Sequence, residues 1–187
     1  ATGTVEATGL QINETHNGVT LEGESLDAIL KVSPADDRVH NGIRIRNSGG
    51  TVRDVTVRTL TVDGNKSAQS YFNGLGVAVY EDTLCDNVVI ENVRAQNWKN
   101  TGINVHGGAT VRYCDAVNNE KHGIATNGGD TVEFCECWGN DLYGVDLAEV
   151  RAKLNDALDD PDLLLGEREN RVQHVLVQGV GIVQAVR

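Results

Sequence analysis

One short spacing pattern recurs along the chain and limits what it can fold into. Small or apolar residues occupy positions x, x+2, x+5 and x+7. The copies are Val55-Val57-Leu60-Val62, Val88-Ile90-Val93-Ala95, Ala109-Val111-Cys114-Ala116 and Val175-Val177-Val180-Ile182, and a partial copy has Val132, Cys135 and Cys137 with Asp130 at its first position. Steps of two match the alternation of side chains along a strand. The step of three indicates a corner, after which the next side chain again points inward.

A second pattern, a glycine followed by an aliphatic residue, keeps the same period. The triplets are Asn41-Gly42-Ile43, Asn73-Gly74-Leu75, Thr101-Gly102-Ile103, His122-Gly123-Ile124 and Tyr143-Gly144-Val145, and the last three glycines are 21 residues apart. A constant period of about 20 residues with short strands is typical of a parallel β-solenoid. The alternative is an antiparallel sandwich of short strands, but nothing in that fold requires a constant 21-residue spacing.

These patterns predict an all-β fold, a single-stranded right-handed parallel β-helix of about six to seven coils. The whole chain, residues 1–187, is interpreted as one domain. Residues 147–170 break the repeat, and their apolar spacing predicts one short helical insertion between coils. Residues 171–183 then re-enter as a last coil. The chain shows no evident end caps, which favours assembly into a homo-oligomer.

The charge of the chain excludes one class of partner. The formal net charge is -11, so the phosphate backbone of a nucleic acid is not an expected partner. No apolar run is long enough to span a membrane, so no membrane contact is predicted. Cys114 and Cys135 fall on one predicted inward column, where they are either core thiols or a disulfide. The sequence predicts no metal site and no cofactor.

The strands that follow the glycines predict one outward wall. With the aliphatic residue inward, one outward column is Arg44, Asn104, Ala125 and Asp146, and a neighbouring column is Arg46, His106 and Asn127 with Tyr80 near it. Two arginines on one strip of an acidic protein indicate a ligand with carboxylates, which guanidinium groups hold through paired hydrogen bonds. An ordinary solvated polar face is the alternative. His122, at the head of a coil, is interpreted as a turn residue.

Several runs of the sequence carry a resemblance to a known family. Thr61-Val62-Asp63-Gly64-Asn65, Tyr71-Phe72-Asn73-Gly74 and Asp86-Asn87-Val88-Val89-Ile90-Glu91-Asn92-Val93 resemble right-handed parallel β-helix enzymes of the pectate lyase type. The layout is most similar to the catalytic modules of mannuronan epimerases. The likeness extends over most of residues 18–147 and is carried mainly by residues of the repeat.

One coil of that family bears Tyr-Gly-Phe-Asp-Pro-His, and residues 101–106 resemble it as Thr-Gly-Ile-Asn-Val-His. The resemblance implies abstraction of a proton beside a carboxylate, which requires a base, an acid and a group that neutralises the carboxylate. His106 matches the family histidine, whereas Asn104 replaces the ionisable aspartate and Thr101 the tyrosine. Tyr80 and Tyr143 are then the candidate phenols, although neither falls on the family position. The resemblance also implies that Ca²⁺ is possible, although the sequence offers no matching Asp cluster.

Two hypotheses from different classes follow. In the first, the domain is extracellular and binds an acidic polysaccharide or surface glycan through Arg44, Arg46, Asn104, Asn127 and Asp146. His106 and Tyr80 would be its catalytic residues if it is also a polysaccharide lyase or uronate epimerase. In the second, the protein is a structural component of a virion or cell surface, such as a spike, turret or tail, without catalytic activity. The sequence leaves open whether the chain is an enzyme.

Overall fold

A computed structural model describes residues 4–7, 9–33, 41–69, 74–80, 84–127 and 129–147. The strands in these ranges are β1 (Thr4–Ala7), β2 (Leu10–Ile12), β3 (Thr20–Glu22), β4 (Ile29–Val32), β5 (Ile43–Ile45), β6 (Thr51–Asp63), β7 (Val77–Val79), β8 (Leu84–Gln96), β9 (Ile103–Val105), β10 (Thr110–Arg112), β11 (Asp115–Val117), β12 (Ile124–Thr126), β13 (Thr131–Glu133), β14 (Glu136–Trp138) and β15 (Val145–Leu147). Two short 3₁₀ helices, Glu14–His16 and Lys66–Ala68, lie between them. The helical insertion predicted at 147–170 lies outside the described residues, except for residue 147 at the end of β15. The last coil predicted at 171–183 lies outside them entirely.

All strand pairings within the described ranges are parallel. One sheet has six strands in the order β15-β12-β9-β7-β5-β2, one from each of six successive coils, and the other has nine strands. β6 and β8 each continue through a bend without interruption. In later coils the same bend divides this stretch into two strands, β10 and β11 in one coil and β13 and β14 in the next. This pairing confirms the predicted all-β parallel β-helix.

The predicted interior columns are confirmed. Val111 pairs with Ile90 on one side and with Val132 on the other, so residues 21 positions apart lie in neighbouring coils. The side chains of Val57, Ile90 and Val111 are each 0% exposed. One coil alone cannot bury these residues, and stacking creates the continuous apolar core that stabilises the fold.

The corner predicted for the three-residue step is a left-handed backbone position. One column of corners has φ angles of 57° at Thr59, 49° at Asn92, 54° at Tyr113 and 52° at Phe134. A single residue in this conformation turns the chain between two strands and keeps the next side chain inward. The Tyr113 and Phe134 rings stack outside this column with centroids 5.2 Å apart.

The glycines of the second pattern allow close approach between coils. A Cβ atom at Gly76 would lie 2.1 Å from the carbonyl oxygen of Gly102, and one at Gly123 would lie 2.5 Å from that of Gly144. In the third coil the glycine was assigned wrongly from the sequence, because Val77, not Leu75, pairs with Ile43 and Ile103. The triplet in register is therefore 75–77, two residues after the predicted one.

Asparagine side chains form a ladder of hydrogen bonds at one turn. Asn119 Oδ1 accepts a hydrogen bond from the backbone nitrogen of Trp98 at 3.0 Å, and Asn140 Oδ1 accepts one from that of Asn119 at 3.1 Å. Asn119 Nδ2 donates to Asn140 Oδ1 and to the carbonyl of Ala95. These side chains satisfy backbone groups that the turn would otherwise leave buried and unpaired. The ladder therefore holds successive coils in register.

Candidate functional site

The predicted wall is the outer face of the six-stranded sheet. Strand pairing aligns Gln11, Arg44, Ala78, Asn104, Ala125 and Asp146 in one outward column. All four residues predicted for this column therefore lie in it, and Gln11 and Ala78 complete it. In β5, β7 and β9 the neighbours of these residues along the strand are 0% exposed and form the interior.

The second predicted column begins where these strands end. The backbone nitrogen of Arg46 donates to the carbonyl of Ile12 at 3.0 Å, and that of Tyr80 donates to the carbonyl of Ile45 at 3.2 Å. These bonds continue the register beyond the strands, so Tyr80 occupies the coil between Arg46 and His106. Asn127 follows β12 in the next coil and is exposed.

Tyr80 forms a platform beneath two cations. The guanidinium carbon of Arg46 lies 5.5 Å from the centre of the Tyr80 ring, and that of Arg44 lies 6.0 Å from it. Arg44 also donates a hydrogen bond to the side-chain oxygen of Gln11. Cation–π attraction and this hydrogen bond both restrict the arginine side chains, so positive charge is fixed at this end of the wall.

A shallow depression of about 230 Å³ lies next to this platform. It is lined by Leu75, Ala78, Val79, Tyr80, Asn104 and His106. Ala78 has only a methyl side chain, which leaves space between the larger residues of the adjoining coils. The depression therefore combines an amide, an imidazole and a phenol beside two guanidinium groups.

His106 lies close to a buried carboxyl group. Asp130 Oδ1 accepts hydrogen bonds from the backbone nitrogens of Gly108 at 3.0 Å and Ala109 at 2.9 Å. Burial raises the pKa of Asp130. The hydrogen bonds from the backbone nitrogens of Ala109 and Gly108 oppose this shift, and the charge of His106 opposes it more weakly. Asp130 Oδ2 and His106 Nδ1 are both buried without a hydrogen-bond partner. The sequence pattern identified Asp130 only as a misfit in the repeat.

At the other end of the wall, Asp146 lies against His122. His122 Nε2 is 3.6 Å from Asp146 Oδ2, and the two side chains are 17% and 14% exposed. The His122 ring stacks on Tyr143 with centroids 5.5 Å apart. His122 therefore adjoins the wall, which the interpretation as a turn residue missed. One sequence signal indicated this position. His122 directly precedes Gly123 and β12, and β12 pairs with β15, the strand that contains Asp146.

The described ranges contain no group of three or more His, Cys, Asp or Glu side chains that could hold a metal ion. The Ca²⁺ that the family resemblance implies is therefore without a carboxylate cluster to bind it among these residues. Cys85, Cys114, Cys135 and Cys137 are free thiols. Among the residues with described structure, no helix combines the length and apolar character needed to cross a membrane.

Comparisons with known proteins yield one structural similarity. No protein-family model and no curated protein matches the sequence. The A-module of mannuronan C-5 epimerase from Azotobacter vinelandii is similar to this chain in structure, with a TM-score of 0.49 and 17% sequence identity. The similarity covers 76% of this chain and 50% of that module, so the chain spans half the length of the structure it matches. The parallel pairing of the strands establishes the fold independently of this similarity.

Proposed function

We propose that this protein binds an acidic polysaccharide along the outer wall of the six-stranded sheet. The observation that carries the proposal is the pair of guanidinium groups, 6.0 and 5.5 Å from the centre of the Tyr80 ring, beside a depression open to a ligand. The Arg44 and Arg46 side chains would hold the carboxylate of a uronate residue. Asn104 and Asn127 would bind hydroxyl groups of the neighbouring sugars.

The net charge of the molecule determines which contacts could hold such a ligand. Because the formal net charge is -11, a long-range attraction between the whole protein and a polyanion is not available. Binding must therefore come from local contacts, and bidentate hydrogen bonds from arginine to carboxylate are among the strongest of these. Such a ligand belongs outside cells or at a cell surface, which favours an extracellular protein.

The test compares arginines on and off the wall. In calorimetric titrations with polygalacturonate and alginate, the double variant Arg44→Ala with Arg46→Ala should bind at least about tenfold more weakly than the wild type. The control is Arg53→Ala, since Arg53 lies on the nine-stranded sheet and its side chain is 57% exposed. Equal affinity of the double variant and the control would refute binding at the wall.

A second candidate function, processing of the bound chain, is favoured because Tyr80 and His106 line the same depression. In a lyase reaction, one group would remove the proton beside the carboxylate. The C–H electron pair would form a double bond as the glycosidic C–O bond breaks, and the other group would protonate the leaving oxygen. In an epimerase reaction, the proton would return on the opposite face of the sugar. The arginines would neutralise the carboxylate in both cases.

Turnover distinguishes these functions. A lyase generates unsaturated uronates that absorb ultraviolet light, and an epimerase exchanges the sugar proton with deuterium from solvent. Activity should be lost in His106→Ala if processing occurs. Binding without either signal would leave a carbohydrate-binding module. Neither binding nor turnover, together with a stable symmetric oligomer, would favour the structural surface protein instead.

A further inference from the structure

Two cysteines occupy equivalent positions in adjacent coils of the interior. Cys114 and Cys135 each follow the left-handed residue of their coil and are 21 positions apart. The backbone nitrogen of Glu136 donates to the carbonyl oxygen of Cys114 at 2.9 Å, which places the two cysteines side by side in the parallel ladder. We propose that Cys114 and Cys135 form a disulfide in the folded protein under oxidising conditions and thereby lock two coils of the wall together.

The spacing of the coils suits a disulfide at this position. Neighbouring parallel strands lie about 4.8 Å apart, and disulfides join Cα atoms separated by about 4.4–6.8 Å. The rings of Tyr113 and Phe134, the residues directly before the two cysteines, stack with centroids 5.2 Å apart, so the coils stay close at this corner. Both thiols also point the same way, because each Sγ lies 3.3 Å from the carbonyl oxygen two residues earlier, that of Arg112 or Glu133. Bond formation therefore requires side-chain rotation rather than movement of the backbone.

The other two cysteines do not share this arrangement. Cys137 pairs with Ala116, and Cys85 pairs with Val52. Among the described strand pairings, neither of them lies beside another cysteine. The register of the coils therefore favours one specific bond rather than random oxidation of four thiols.

The two stacked thiols differ in their access to an oxidant. Cys114 is 0% exposed, whereas Cys135 is partly exposed. A hydrogen bond from the Cys114 thiol lowers the pKa of Cys135. The Cys135 thiolate therefore attacks first, on a low-molecular-weight disulfide such as oxidised glutathione. The S–S bond of that disulfide breaks, one glutathione leaves as a thiolate, and Cys135 keeps the other in a mixed disulfide.

Cys114 then completes the exchange. After losing its proton, Cys114 Sγ attacks Cys135 Sγ, the mixed disulfide breaks and the second glutathione leaves. The two protein thiols lose two electrons, the external disulfide is reduced to two thiols, and these take up the two protons. The new bond closes a loop that contains Ala125 and Asn127 of the wall. Such a loop restricts the unfolded chain, so the folded protein becomes more stable.

The experiment oxidises the folded protein with oxidised glutathione at pH 8 and compares it with protein kept reduced. After remaining thiols are blocked with iodoacetamide, peptide mass mapping without reduction should show Cys114 linked to Cys135. The Tm of the oxidised protein should exceed that of the reduced protein by about 3–8 °C. Cys114→Ser and Cys135→Ser should each abolish the link and the rise in Tm. Cys137→Ser is the matched control and should preserve both.

The alternative outcomes each contradict the inference. A glutathione that stays on Cys135 while Cys114 remains free would overturn it, and so would a link from Cys114 to Cys137 or Cys85. A link that forms only in urea, or not at all, would show that the folded coils hold the two sulfur atoms apart. A link that leaves the Tm unchanged or lowers it would refute the locking of the coils. None of these measurements involves a polysaccharide, so failure of the proposed function would leave the inference standing.

Discussion

Asn41 Nδ2 donates a hydrogen bond to the phenol oxygen of Tyr80 at 2.8 Å, although the two residues are 39 positions apart. Asn41 Oδ1 accepts a second bond from the backbone nitrogen of Leu75 at 3.0 Å. Asn41 is 8% exposed, so its amide is fixed by the coil stack. The hydrogen bond holds Tyr80 across the wall, where its ring supports Arg44 and Arg46. Tyr80 is therefore positioned by the fold before any ligand binds.

Tyr80→Phe tests this arrangement. The change leaves the buried Asn41 amide without its partner, so we expect the free energy of unfolding to fall by about 1–2 kcal/mol in urea denaturation. The ring and its contacts with the arginines remain, so polysaccharide affinity should change less than threefold. Tyr113→Phe is the matched control, because Tyr113 is 55% exposed and removal of its hydroxyl leaves no buried group unpaired. Equal losses in the two variants would contradict the role of the Asn41 bond.

Gly76→Ala tests the close approach between coils. The new methyl group would lie 2.1 Å from the Gly102 carbonyl oxygen and 2.9 Å from Trp98 Nε1, and neither the backbone nor the buried indole can move freely. We expect a loss of at least about 2 kcal/mol in stability, seen as a lower Tm in thermal unfolding. Gly50→Ala is the control, because its methyl group meets only the Glu14 side chain, at 3.1 Å. A small effect at Gly76 would mean that the coils separate easily there.

The interior columns were predictable because each coil repeats one physical requirement. Residues such as Val111 and Val132 must be apolar to be buried between coils, and the corner between strands fixes their spacing. The third coil shows the limit of this reasoning. Both 73–75 and 75–77 match the glycine pattern, and only stacking against Gly42 and Gly102 selects the second.

The columns of the wall were predictable from the sequence, but the contacts between their side chains were not. Alternation placed Arg44 and Asn104 outward, since their neighbours face the core. The contact between His122 and Asp146 depends on side-chain directions, which spacing alone does not determine. The proximity of Asp130 to His106 was missed for a related reason, because the repeat marks position 130 as an inward site for an apolar residue.

Asp130 should make stability depend on pH. Burial raises the pKa of this carboxyl above its ordinary value, so the folded state holds the proton more tightly than the unfolded state. Its contribution to stability is complete below the unfolded pKa and is lost as pH rises through the folded pKa. Asp130→Asn keeps the Oδ1 acceptor for Gly108 and Ala109 and removes the buried charge. The variant should therefore gain stability relative to the wild type as pH rises from 3 to 7 in urea denaturation.

The control for this measurement is Asp141→Asn, because Asp141 is an exposed residue of the last described turn. Its stability relative to the wild type should stay level over the same pH range. A flat difference for Asp130→Asn, or a difference that falls as pH rises, would show that the Asp130 carboxylate is solvated or paired in the folded protein.

Cys135 should be the thiol that reacts first with an alkylating reagent. A hydrogen bond from the Cys114 thiol lowers the pKa of Cys135, whereas burial raises the pKa of Cys85 to about 11 and that of Cys137 to about 12. The thiolate is the nucleophile, so iodoacetamide at pH 8 should label Cys135 ahead of the others, as peptide mass mapping can show. Cys114→Ala removes the donor and should slow this labelling, whereas Cys114→Ser retains a donor and should preserve it. Equal rates in the alanine and serine variants would show that the Cys114 side chain does not activate Cys135.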